Sequence, residues 1–320
     1  MKKFVLGLIL ILLVSGCAGL PDFGIFPNGN KVNKTELGPD LVVIESVNTI
    51  PNPPINAGDQ FSISFEIKNQ DDINDVKVGY SLFDTGLCSY LNSSQSRSSK
   101  TDTSLAPLQM EFYEWTFNSP SNSEIAFLPN KCPIRWKINY TFNATSQIDI
   151  NVISQERLSQ LQRSGNPPTF TPNIVIGRGP VKVDMTFGAS LPARNSSSLP
   201  IFLTIQDKGT GLLKEIPAST DESLYLKVPD SFGFVSESCD KFEDTGSSVT
   251  EGDITYKFYR NKVPISIIKK SSPQIRCLFT APNSAAINDI EKTFFITSSL
   301  KYSYEITGET SVNVKPTASR

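Results

Sequence analysis

From Asp40 onward, apolar residues return at every second position in short runs separated by Pro, Asn, Gly and Ser. That period admits half-buried strands and little else. The clearest run is Phe61–Lys68, where Phe61, Ile63, Phe65 and Ile67 share one face and Ser62, Ser64, Glu66 and Lys68 the other. Val76, Val78, Tyr80 and Leu82 alternate in the same way, as do Ile134, Trp136, Ile138, Tyr140 and Phe142, and then Ile148, Ile150 and Val152. One polar face per strand means antiparallel sheets. The period changes only between Ser154 and Gly165, where Glu156, Leu158 and Leu161 suggest a short helix that Asn166-Pro167-Pro168 stops. Strand text resumes with Val181, Val183, Met185 and Phe187, then Ile201, Leu203 and Ile205, then Leu224, Leu226 and Val228. The fold class read from this pattern is all-β, with two tandem antiparallel β-sandwich domains at 39–153 and 181–316 and a helix with a Pro-rich linker at 154–180.

The second half repeats the first. Asn139–Val152 aligns without gaps on Lys301–Val314, placing Tyr140 on Tyr302 and Phe142 on Tyr304, and Phe61–Asn69 can be laid on Pro200–Gly209. Each half has one Cys in its middle and one before what reads as its final hairpin, and together these matches indicate an internal duplication.

The N-terminus bounds the compartment. Lys2 and Lys3 precede an apolar run from Phe4 to Val14, too short to span a membrane, so residues 1–17 read as a signal peptide. The junction Val14-Ser15-Gly16-Cys17 resembles the lipobox of prokaryotic lipoproteins, which makes Cys17 the lipid anchor on the extracellular face of the cell membrane. Residues 18–38, rich in Gly, Pro and Asn, read as a flexible tether. Cys88, Cys132, Cys239 and Cys277 remain, an even number in an exported chain. Three pairings are possible. Joining neighbours, Cys88 with Cys132 and Cys239 with Cys277, closes loops of similar length inside each half; a free pair or a zinc site is the alternative.

The stretch Gly38-Pro-Asp-Leu-Val-Val-Ile-Glu-Ser-Val47, followed by Pro51-Asn-Pro-Pro54, Ala57-Gly58-Asp59 and Phe61–Asn69, resembles the opening of Ig-like domains of the CARDB type. Those are extracellular, adhesion-related modules of bacteria and archaea. The resemblance implies a pair of Ig-like sandwiches on a prokaryotic, archaeal-type surface lipoprotein whose work is binding or spacing, and it brings no catalytic residue. The Cys spacing is not that of the antibody inter-sheet bridge.

Chemistry is constrained by what the composition lacks. With no histidine, Ser-His-Asp and Cys-His sites, imidazole metal ligands and the usual general base near neutral pH are all excluded. Nothing in sequence context selects a carboxylate pair, so no catalytic residue, metal or cofactor is expected, and no enzymatic activity. A formal net charge of −2 with scattered Lys and Arg offers no stripe for nucleic acid. The Asp71-Asp72-Ile73-Asn74-Asp75 cluster has the oxygens of a calcium turn but lacks the Gly and bidentate Glu of an EF-hand loop, and Glu243, Asp244, Glu251 and Asp253 read likewise as solvated turns. Asn33, Asn92, Asn139, Asn143 and Asn195 open glycosylation sequons. Trp115 and Trp136 sit on alternating strands and read as core rather than as a sugar-stacking platform. The expected function is a membrane-anchored extracellular module that mediates adhesion or contact with other envelope proteins. The alternative is a lipoprotein that captures surface polysaccharide.

Overall fold

The computed structural model describes residues 40–91, 99–126, 130–283 and 290–317. The signal peptide with Cys17, the tether, Asn33 and Asn92 lie outside those residues. The first half supplies β1 (Val42–Ile50), β2 (Ile55–Asn56), β3 (Gln60–Asn69), β4 (Val76–Asp84), β5 (Ser89–Tyr90), β6 (Ser99–Leu105), β7 (Met110–Asn118), helix α1 (Asn122–Ile125) and β8 (Lys131–Ile153). Helix α2 (Gln155–Arg163) follows. The second half supplies β9 (Ile174–Ile176), β10 (Val181–Phe187), β11 (Ala193–Arg194), β12 (Ser198–Asp207), β13 (Leu212–Leu213), β14 (Leu224–Pro229), β15 (Gly233–Phe234), β16 (Phe242–Glu251), β17 (Ile254–Asn261), β18 (Ile275–Thr280) and β19 (Glu291–Lys315).

These strands form three open, mainly antiparallel sheets. Each half contributes a four-stranded sheet, in the orders β1-β3-β7-β5 and β10-β12-β18-β15. The halves meet in a third sheet of eleven strands, whose main path is β16-β17-β14-β19-β8-β4-β6. The alternation explains the layering, because each small sheet turns its apolar row onto the shared one. Phe65 of β3 stacks at 6.0 Å on Trp136 of β8, and Phe279 of β18 meets Tyr259 of β17 at 5.5 Å. Trp115 and Trp136, each 1% exposed, are core residues.

The duplication reappears as symmetry. Tyr140 pairs with Tyr304 and Phe142 with Tyr302, the register that a two-fold axis across the β8–β19 seam requires of corresponding residues. The short strands obey the same rule. β2 lies parallel to β19 at Val314 and Lys315, and β11 lies parallel to β8 at Val152 and Ile153, so each half extends the long strand of the other.

Two expectations need correcting. The apolar runs that end at Phe142 and resume at Ile148 are separate in the sequence, yet β8 carries both as one strand of 23 residues, paired throughout with β19. The alternation never breaks there: Ala144 and Ser146 are buried, and the Ser146 and Ser298 hydroxyls bond each other at 2.8 Å. The strand runs on through this polar inward row because its partner comes from the other half. The Cys order also differs from its apparent match. The bridges join Cys88 to Cys132 and Cys239 to Cys277, but Cys132 lies on long strand β8 whereas Cys277 lies on β18 of a small sheet. They span 44 and 38 residues, loops worth about 4 kcal/mol each in a chain-entropy account. The stretch between the halves forms α2, whose N-cap Ser154 accepts from Arg157 N–H at 3.2 Å, and β9, which pairs with β8.

Candidate recognition site

β4 and β9 lie on the same side of β8 but do not meet. The pairing of β4 ends at Lys77 with Thr141, and that of β9 ends at Ile176 with Ser146, leaving a notch in the shared sheet. The cavity there measures about 550 Å³, within the range of small-ligand pockets. Its lining combines the amides of Asn74 and Asn143, the Asp75 carboxylate, the cations Arg178 and Lys301, and the ring of Phe142. Phe142 belongs to the inward row of β8 and is reached only because the sheet is interrupted beside it.

Two loops set the walls. Asn69, fully buried at the end of β3, donates to the carbonyls of Asn74, Leu105 and Ala106 at 2.9–3.1 Å and accepts from Asp71 N–H at 2.9 Å. The carboxylate of Asp71, also fully buried, accepts from Ile73 N–H at 2.8 Å and from Asn74 N–H at 3.1 Å. Asp71 is therefore a structural pin, and Asp72 is ion-paired with Arg178 from the opposite wall. Among the described residues no group of three or more acidic or Cys side chains is placed to hold a metal ion. Arg178 is aimed by Gly177–Pro180. Gly179 has φ +95°, and a Cβ there would stand 2.8 Å from the Tyr302 hydroxyl and 3.2 Å from the Phe142 ring, so only glycine fits. Three residues of the second acidic group are engaged at the surface, Glu243 with Arg260 at 2.9 Å, Glu251 with Lys227 at 2.5 Å, and Asp244, which accepts from Gly246 N–H.

Beneath the notch the seam carries polar groups that sequence reasoning did not single out. Asp40 accepts from Thr210 N–H and its hydroxyl at 3.0 and 2.7 Å, and the Tyr304 hydroxyl donates to Asp207 at 2.8 Å. Burial pushes the phenols of Tyr140, Tyr302 and Tyr304 well above their ordinary range, and the nearby Asp40 charge adds to the effect. These groups tie first-half Asp40 to a second-half loop. The alignment of Tyr140 with Tyr302 was the one signal in the sequence that could have located them.

Of the sequon residues, Asn143 is exposed on the notch wall, where its side-chain oxygen accepts from Ser299 at 3.0 Å. Asn139 is half-buried on the same outward row, and the Asn195 side chain accepts from Gln155 N–H at the start of α2. No described helix is long and apolar enough to cross a membrane.

No family model matches the chain, and no curated protein matches it. Among solved structures, one titled "Biofilm associated protein - B domain" is matched over 82% of this chain and 72% of that chain, at 7% sequence identity and a TM-score of 0.14.

Proposed function

We propose that the protein is a rigid recognition module of the cell exterior, anchored through a lipid on Cys17, that acts by contact with other envelope components rather than by catalysis. The observation that carries this reading is the uninterrupted pairing of β8 with β19, which fuses both halves into one stiff body. Such a body holds its surfaces at fixed relative positions, as a spacer or adhesion subunit needs. The two disulfides fit an oxidising, extracellular setting. Chemical cross-linking of intact cells, followed by mass spectrometry of everything joined to the full chain, tests it. Recurrent links to particular envelope proteins are expected; links confined to the chain itself would sink the contact reading.

A second reading, capture of a surface saccharide, is favoured by the notch. Amides, a carboxylate and cations around a half-buried ring can bond sugar hydroxyls while the ring meets a sugar's apolar face. Burial of both tryptophans confines this reading to the notch. A polysaccharide pull-down that Lys301→Ala leaves unchanged would remove it.

A further inference from the structure

Between β4 and β9, strand β8 turns the backbone of one residue into the notch. Gly177 N–H donates to the Thr145 carbonyl at 2.7 Å, which places the backbone groups of Thr145 on the β9 side. Successive residues of a strand turn these groups to opposite sides, so those of Asn143 point the same way as those of Thr145. At Asn143, β4 has already stopped and β9 has not begun, and among the described residues no strand pairs with it on that side. The notch therefore offers one N–H and one C=O of a single residue, with the Phe142 ring beside them.

The second half shows what such a position takes. The repeat that lays Asn139 on Lys301 lays Asn143 on Glu305, and Glu305 pairs with Leu212 of the two-residue strand β13. Residues 208–223 join β12 to β14 and are long enough to supply that strand. Only residues 70–75 join β3 to β4, and they are used up in the loop that Asn69 and Asp71 pin. One peptide unit, with the buried Leu213 side chain next to it, thus covers in the second half the position that is open in the first.

We infer that the notch binds the acetamido group of an N-acetylated amino sugar. The amide carbonyl accepts from Asn143 N–H, the amide N–H donates to the Asn143 carbonyl, as a facing strand residue would, and the methyl group meets the Phe142 ring. The Asn74 amide, the Asp75 carboxylate and the Lys301 ammonium then face the sugar hydroxyls. Asp72 already engages Arg178, so Asp75 and Lys301 leave the lining one charge of each sign, as suits a neutral ligand. An extended peptide carries the same amide but needs a longer edge than the single residue between the β4 pairing and the Gly177 bond. A sugar presents one amide on a compact ring. This rests on the saccharide reading above and names the sugar.

The probes are the methyl glycosides of N-acetylglucosamine and N-acetylgalactosamine, titrated into the oxidised full chain and followed by the amide resonances of residues 141–145. Binding of at least one, with the largest shift at Asn143 N–H, is expected. The matching glucoside or galactoside, which lacks the amide, should bind about tenfold more weakly. An analogue N-methylated on the acetamido group loses only the N–H donor and leaves the chain untouched, and it should weaken binding by a similar factor. Binding of neither acetylated sugar, or equal binding with and without the amide, overturns the inference. Equal competition by N-acetylalanine methylamide, a capped peptide, would show that any amide suffices and would overturn the sugar. The polysaccharide pull-down reports the saccharide reading separately: capture that depends on Lys301 but is indifferent to acetylation would leave that reading standing and overturn this one.

Discussion

Gly308 faces Trp136 across the seam, and a Cβ on it would stand 2.6 Å from the indole ring. The pairing is steric: β19 lacks a side chain where β8 places its largest one. Gly308→Ala should therefore cost about 1–3 kcal/mol through overpacking, measured as a lower denaturant midpoint at unchanged m-value. The buried phenols give a second expectation at this scale. Burial raises Tyr259 to about 12, with the Asp244 and Asp230 charges adding, and raises Tyr140, Tyr302 and Tyr304 further. The unfolded phenols titrate near ~10. Their folded forms hold the proton longer, so the stabilisation is complete below about pH 10 and is lost as pH rises through the folded values. Stability should thus fall steeply above about pH 10, with the seam phenolates absorbing only as the fold opens; gradual ionisation in a still-folded chain would contradict this. Local sequence showed that these aromatics point inward, but not that two of the three tyrosines on the seam come from the other half.

Elements were legible in proportion to how local their causes are. Helix α2 declares itself through Ser154, Glu156 and the Pro pair that follows. β3 and β12 declare themselves by alternation over ten residues each. What sequence could not give was continuity across Asn143–Ser146, since the partner that makes a strand of those polar residues lies some 150 residues away. The turn at 70–75 conceals its role for a related reason. Its acidic residues look solvated in sequence, but Asp71 is the buried acceptor that shapes the loop, and Asn69 anchors it from below. Asp71→Ala should cost about 1–3 kcal/mol by leaving backbone N–H groups without their acceptor, and should raise amide exchange at Ile73 and Asn74 on the notch wall. Disrupting the Asp72–Arg178 pair, exposed at both ends, should cost no more than about 1 kcal/mol. Asp71 also lies 3.9 Å from Arg178, so it is the excess cost of Asp71→Ala over Asp72→Ala that measures the pinning of the loop.

For the whole molecule, the duplication foretold two similar halves, and the structure gives them a common sheet whose longest pairing runs between them. Whether they unfold together follows from where stability is shared, and the chain carries its own reporter. Both tryptophans, Trp115 and Trp136, belong to the first half, and the second has none. Leu226, fully buried on β14, belongs to the second half and pairs with Ser298 of β19. Leu226→Ala should cost about 2–5 kcal/mol. If the halves were separate domains, that loss would leave the tryptophan-detected transition where it was. Because β19 is paired with β8 along nearly its whole length, loosening β19 removes the partner of the strand that carries Trp136, and the two halves should melt as one unit. The tryptophan midpoint should then shift by the full amount seen by far-ultraviolet circular dichroism. A fluorescence midpoint that stays fixed while the dichroism signal splits into two steps would show that the shared sheet transmits no stability. The stiffness on which a spacer or adhesion role depends would then be absent.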